Sequence, residues 1–239
     1  MREEEIAAGL AAVQDRIGAA CAAAGRDPAE VTLVVVTKTY PASDVQVLAK
    51  LGVTDVGENR DQEAAPKAVA VEATGAQVRW HFVGQLQRNK CRSVVEYADV
   101  VHSVDSVRLA RALGGAADRH RERPLDVLVQ VSLDRDPSRG GAVVGSTVEP
   151  DRDFDRVAVT VAEAASLRLS GIMGVAPMSW PPEAAFERLA EVAVRLRAAY
   201  PNAVAVSAGM SADLEQAIAH GATHVRIGSA VLGTRPKLR

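Results

Sequence analysis

Two cysteines in 239 residues, Cys21 and Cys91, are too few and too far apart for a disulfide framework, and they lack CxxC spacing. Aromatic residues are equally scarce at 3%, so few platforms exist for stacking bases. No charge of one sign dominates: 28 Lys and Arg face 30 Asp and Glu, which excludes the basic footprint of a nucleic-acid binder. The N-terminus, MREEEIAAGL, is acidic and helical where a signal peptide would be basic and then apolar. No run reaches ~18 consecutive apolar residues, so no membrane-spanning helix is expected. These absences leave a soluble, reduced, cytoplasmic globular protein. With no exposed heptad pattern to demand a dimer, a monomer is expected.

What is present is enough apolar material for a full core, 48%, drawn mainly from Ala, Val, Leu and Ile. An Ala-rich helix is expected over about residues 3–24, with Ile6, Leu10, Val13, Ile17 and Cys21 on one face. Strand patterns follow at 31–37, 53–56, 77–83, 99–103, 125–131, 168–173, 203–206 and 224–227. Helical patterns at 43–51, 60–71, 85–97, 105–119, 151–165, 182–199 and 211–220 alternate with them, and a short helix follows Gly228. Strand-then-helix repetition with short connections means a parallel sheet. Eight such units in this length favour a closed (β/α)8 barrel, and no G-x-G-x-x-G follows the first strand to suggest an open dinucleotide-binding sheet. The expectation is one domain over residues 1–239, with residues 1–25 as an extra helix packed on the barrel. The polar loop 132–150 is the longest irregular stretch.

In such barrels the chemistry sits at the C-terminal ends of the strands. The first strand, VTLVVVT, has six β-branched residues in seven and runs out into Lys38-Thr39-Tyr40-Pro41. An ammonium there is partly desolvated, which favours the neutral amine, a nucleophile towards aldehydes. Taken alone, Lys38 reads more simply as snorkelling to water. Strands seven and eight end in Ser207-Ala208-Gly209-Met210-Ser211 and Arg226-Ile227-Gly228-Ser229. A Gly/Ser turn opening into a helix presents N–H groups to an anion, and barrels commonly place a phosphate at these two loops. The plain alternative is that Gly209 and Gly228 only permit tight turns. An imine-forming lysine and a phosphate site on one mouth suggest pyridoxal 5′-phosphate (PLP).

Other signals are weaker. His220 and His224 have the spacing of a helical metal site, but Gly221 breaks the helix between them and a structural pair is the simpler reading, with no metal expected. The stretch from Gly140 to Thr147 resembles a P-loop only faintly and reads as a mobile loop. Glu58 and Asp61 could form an acid/base pair, although first-turn acids ordinarily serve the helix dipole. Arg88, Lys90 and Arg92 read as a solvated helix face.

The motifs VVVTKTYP, GENRDQE, WHFVGQLQRNK, HSVDS, GIMGVAP, SAGMS and RIGSAVLGTR occur in this order. Together, over about residues 31–235, they resemble the YggS/PROSC family of pyridoxal phosphate homeostasis proteins. The resemblance implies a barrel similar to the N-terminal domain of alanine racemase, with PLP held as an internal aldimine on Lys38. It implies a part in vitamin B6 and amino-acid homeostasis, with PLP-dependent apo-enzymes as recipients and no robust catalysis. Carried over by motif, Ser211, Gly228 and Ser229 would hold the phosphate, with backbone from Met210 and Ile227. Asn59 would lie beside the ring, Arg226 would face the pyridine nitrogen, and His81 and Met173 would line the pocket. The sequence departs from the family pattern at Ala208, where methionine is common, at Arg139, a frequent lysine, and in the enlarged 132–150 loop. These departures bear on the lid and substrate access.

The residues favour a carrier over a racemase. A guanidinium stays protonated, so Arg226 gives no proton to the pyridine nitrogen and the ring is a poor electron sink. Racemisation also needs a second base on the opposite face, which in alanine racemase is a tyrosine from another domain and subunit. The tyrosines of this chain are Tyr40, Tyr97 and Tyr200. A weak PLP-dependent racemase or lyase is the alternative. A phosphosugar enzyme using a Lys38 Schiff base, colourless when purified, is the third reading.

Overall fold

The computed structural model describes residues 1–136, 139–146 and 148–233. Helix α1 (Arg2–Ala23) precedes eight strand–helix units: β1 (Thr32–Val36), α2 (Ala42–Lys50), β2 (Asp55–Glu58), α3 (Asp61–Glu72), β3 (Arg79–Phe82), α4 (Cys91–Tyr97), β4 (Val100–Val104) and α5 (Val107–His120). The second half adds β5 (Leu125–Gln130), α6 (Phe154–Glu163), β6 (Leu167–Met173), α7 (Pro182–Ala199), β7 (Ala205–Ser207), α8 (Leu214–Ala219), β8 (His224–Ile227) and α9 (Ser229–Leu232). Every neighbouring pair is parallel, and β1 pairs with both β2 and β8, which closes the expected (β/α)8 ring in sequence order.

Among the helices that start later than their hydrophobic pattern suggests, α5 and α6 included, α4 and α8 show the cause. The stretch expected to be helical from residue 85 gives only a 3-10 turn over Arg88–Lys90 before α4. Gly84 lies so close to β2's exit that a Cβ there would sit 2.1 Å from the carbonyl oxygen of Asn59, and the chain rounds this contact before it winds. The helix expected from 211 begins at Leu214, because the Asp213 carboxylate accepts from the Met210 amide at 2.6 Å and ties residues 210–213 into a turn.

The barrel is wrapped in two apolar clusters. One joins Val101, Val127, Val129 and Ile172 of the strands to Leu109, Leu113, Phe154 and Leu189 of the helices. The other seats Ile6, Leu10, Val13, Ile17 and Cys21 of α1 against Ile218, Val231 and Leu232 of α8 and α9. Each large aliphatic side chain buried there contributes roughly 1.5–3 kcal/mol. Gly9 permits the approach, since a Cβ would stand 2.4 Å from the Val231 carbonyl oxygen. By length and composition α1 would suffice to cross a membrane. Here its apolar stripe is buried on the barrel, and Arg16 in its middle bonds to Glu215 and to the carbonyl of Ser211 at 3.0 Å. Trp80 meets Tyr97 edge-on at 6.4 Å in the layer between strands and helices.

Inside the ring Val100, Leu128 and Met173 form a small apolar cluster. Around it stand Asp55, His81, His102, Asp126, Ser207 and Arg226, all buried. At the foot Asp126 accepts from Arg79, Arg168 and Ser170. Burial pulls its carboxyl upward, but the hydrogen bonds from Arg168 and Ser170 outweigh this and hold it below the usual range.

Candidate cofactor site at the barrel mouth

Lys38 is set by what grips its two neighbours. Thr37, fully buried, donates its amide to the Gly57 carbonyl at 2.8 Å and its hydroxyl to Glu58 Oε1 at 2.7 Å. Lys67 Nζ, from α3, bonds both the Thr37 carbonyl and Glu58 Oε1 in a buried ion pair. On the other side Thr39 takes a positive φ of 68°, rare for a β-branched residue, and donates its amide to Glu63 Oε2 at 3.0 Å. Strain of this kind persists where the surroundings over-determine the backbone. Lys38 itself is exposed, where its strand-end position suggested partial burial.

A cavity of about 450 Å³ opens at this end of the barrel, lined by Lys38, Tyr40, Asn59, Met173, Met210, Ser211, Arg226, Gly228 and Ser229. Eight of the ten residues singled out in the sequence therefore meet on one wall or another of this cavity. Ile227 is buried on the helix side of β8, next to Gly228, and brings only its backbone near the site. His81 does not line the cavity: it lies inside the ring, bonded to Asp55 and His102. The resemblance placed His81 on the pocket wall; its side chain does point into the ring, but below the mouth. The Met210 amide is spent on Asp213. With α8 and α9 only six and four residues long, the anion site rests on the Gly/Ser turns more than on helix dipoles.

The cavity has one amine at the end of β1, hydroxyls and glycine backbone at the ends of β7 and β8, and a guanidinium on its inner wall. Gly228 makes room at the turn, since a Cβ would meet the Val36 carbonyl at 3.1 Å. Arg226 donates to Ser207 Oγ at 2.6 Å and to the Gly174 carbonyl at 2.9 Å. Burial pushes its guanidinium down to about 10, against the pull of Asp213, so it remains a cation at neutral pH. This donor set and volume fit PLP, which needs an amine for its aldehyde and an anion site for its phosphate.

Residues 9–236 match the family described as alanine racemase, N-terminal domain. The chain belongs to this family. Among its relatives is the pyridoxal phosphate homeostasis protein of Mycobacterium bovis, 46% identical over 98% of this chain and 94% of the relative. The protein of the same description from Escherichia coli strain K12 is 38% identical over 97% of both chains. PipY of Synechococcus elongatus PCC7942, solved with PLP bound, superposes with a TM-score of 0.79 at 30% identity, over 95% of this chain and all of that one. These likenesses place the chain among the pyridoxal phosphate homeostasis proteins of the family.

Several residues of this family member's site escaped the sequence reading. Lys67 and Glu63 carried no signal, because their partners Glu58 and Thr39 lie off any helical spacing. Glu58 and Asp61 do not form an acid/base pair: Glu58 is committed to Lys67 and Thr37, while Asp61 accepts from Ser93 at 2.7 Å. His220 and His224 are no pair either, since His224 turns into the ring against His81 and His102. Lys90 approaches Asp61 at 3.6 Å, which removes it from the solvated run. The 132–150 loop lies within the described residues except for 137, 138 and 147. Arg139 fastens it, bonding Asp134 and the carbonyls of Val175 and Ala176.

Proposed function

We propose that this protein holds PLP covalently on Lys38 and keeps it available to PLP-dependent apo-enzymes, without robust turnover of amino acids. The reading rests on one observation above all: Lys38, Asn59, Ser211, Arg226, Gly228 and Ser229, drawn from four strand ends, share a single cavity. PipY, 30% identical over nearly the whole chain, was solved with PLP in place. Bound PLP would supply an electrophilic carbon to the lysine and a ring whose electron demand depends on the proton at its nitrogen.

The chain's own residues divide the work. Lys38 presents its amine at the rim, where Thr37 and Thr39 fix the backbone on either side. Ser211, Gly228 and Ser229 receive the phosphate, and Arg16 braces the first of them through its carbonyl. Met173 closes the floor. Arg226, a donor only, would face the ring nitrogen of bound PLP and would give it no proton, so the ring would be a weak electron sink. Tyr40, the one tyrosine on the cavity, donates its hydroxyl to the Gly233 carbonyl and comes from the same strand end as Lys38. Tyr97 is largely buried against Trp80, away from the cavity. Tyr200 caps the C-terminus of α7 and does not line the cavity, so among the described residues Tyr40 is the one phenol there and none is contributed from another element as a second base.

The test is the visible spectrum of purified protein before and after borohydride, for wild type and Lys38→Ala. A yellow wild type whose band is lost on reduction, with the mass of reduced cofactor retained on Lys38, supports the reading. A colourless protein that takes up no added PLP ends it. Release of PLP to an apo-enzyme, together with negligible racemisation of alanine, separates carrier from catalyst.

A further inference from the structure

A chain of hydrogen bonds crosses the barrel interior from its foot to the cavity. Asp55 Oδ1 lies 2.8 Å from His81 Nε2, His81 Nδ1 lies 2.8 Å from His102 Nε2, and His102 Nδ1 lies 2.9 Å from Ser207 Oγ. Ser207 Oγ lies 2.6 Å from Arg226 Nη1. The five side chains come from β2, β3, β4, β7 and β8, and all are buried, His102 and Ser207 completely.

The two ends give the chain a direction. A guanidinium has only donors and a carboxylate only acceptors. Arg226 therefore donates to Ser207, and His81 donates from Nε2 to Asp55, whose second oxygen accepts from Thr54 at 2.6 Å. With both imidazoles neutral, one arrangement satisfies every member: Ser207 donates to His102 Nδ1, and His102 Nε2–H donates to His81 Nδ1. The opposite arrangement makes His81 an imidazolium and leaves the Ser207 proton without an acceptor in the chain. It also adds a cation to a ring that already holds Arg226. Burial above all keeps His102 neutral, as both arrangements require; the added charge at His81 is what separates them.

The outcome is local to Arg226. Because the Ser207 proton is drawn towards His102, a lone pair of Oγ is turned to Nη1, and the Gly174 carbonyl takes Nη2. The guanidinium is pinned by an acceptor at each terminal nitrogen. We propose that Asp55, His81, His102 and Ser207 are positioning residues that orient Arg226 towards the cofactor ring, an inference that rests on the PLP reading of the cavity.

Two measurements test it. Histidine-selective ¹⁵N NMR of the wild type at neutral pH reads the tautomers without cofactor or mutation. His81 and His102 should both be neutral with the proton on Nε2, and a proton on His102 Nδ1 or an imidazolium at His81 overturns the chain. The second compares PLP uptake and the absorption maximum of loaded Ser207→Ala with those of Ser103→Ala, which removes a buried hydroxyl that has no partner. Ser207→Ala should weaken PLP binding about tenfold, the equivalent of about 1.4 kcal/mol, and displace the band. Ser103→Ala should do neither, and Ser207→Thr should restore both. Identical affinity and spectrum in Ser207→Ala and wild type would sink the proposal. If the wild type takes up no PLP, the reading of the cavity fails instead, and the NMR result still decides the direction of the chain.

Discussion

Lys67 Nζ lies 2.8 Å from the carbonyl oxygen of Thr37, the residue before Lys38. The same ammonium neutralises Glu58, which is 1% exposed and whose second oxygen has no hydrogen-bond partner. Removing the cation alone strands a buried carboxylate. Lys67→Met should cost roughly 3–5 kcal/mol of stability, while the double variant Glu58→Gln/Lys67→Met recovers much of that loss. Urea unfolding of the four proteins gives the coupling energy. Additive losses would show that the pair does not act as a unit.

Lys38 is exposed, and its side chain makes no hydrogen bond or ion pair among the described residues. Lys38→Ala should leave stability within about 0.5 kcal/mol of wild type, as ordinary surface changes do. It should nonetheless abolish retention of PLP after reduction. Reduced protein and cofactor-free protein are compared by mass and by thermal unfolding.

The interior histidines predict an acid limit to stability. Burial lowers His224 to about 4 and His102 well below its ordinary range. On acidification the unfolded chain takes up these protons first, so stability is full above about pH 6.5 and falls as the pH drops below it. His224 alone should account for about 3 kcal/mol by pH ~4, at about 1.4 kcal/mol per pH unit. Asp55 and Asp126, both held below the usual carboxylate range, add their losses at lower pH still. Chemical unfolding at a series of pH values should show the decline setting in near pH 6, ahead of the carboxylates. A flat profile down to pH ~5 would contradict it.

Gly171 sits at φ 155° on β6, and a Cβ there would lie 1.8 Å from the carbonyl oxygen of Ala205 on β7. The register of β5 on β6 shifts at the same place. Gly171→Ala forces backbone against backbone and should cost more than about 3 kcal/mol, or prevent folding. Circular dichroism and soluble yield measure it. A well-folded variant would mean that the two strands part at little cost.

The alternation of β-branched runs with amphipathic helices carried the barrel, because both periods are written in neighbouring residues. The β1 boundary moved by one residue at each end, and α7 and β8 fell where the pattern put them. The site was legible where a strand end meets a turn, as at Lys38 and Gly228. It was not legible where the partner is remote: His102 and Ser207 are 105 positions apart. Depth was also hidden. Strand parity turns His81 inward but does not say how far below the mouth it lies, and burial of Lys38 depends on neighbours that no local pattern names. The start of α8 depended on one side chain, Asp213, reaching back to an amide.

The shortage of aromatic residues has a practical side. Trp80 is 7% exposed and set edge-on to Tyr97, so its emission follows the integrity of the strand–helix layer. Trp180, 36% exposed, lies on the connection from β6 to α7 at the cavity end of the ring. The chain thus carries two native fluorophores with separate duties. Trp180→Phe isolates a reporter of unfolding, and Trp80→Phe leaves a reporter beside the mouth, so occupancy and integrity can be followed in one cuvette without a label.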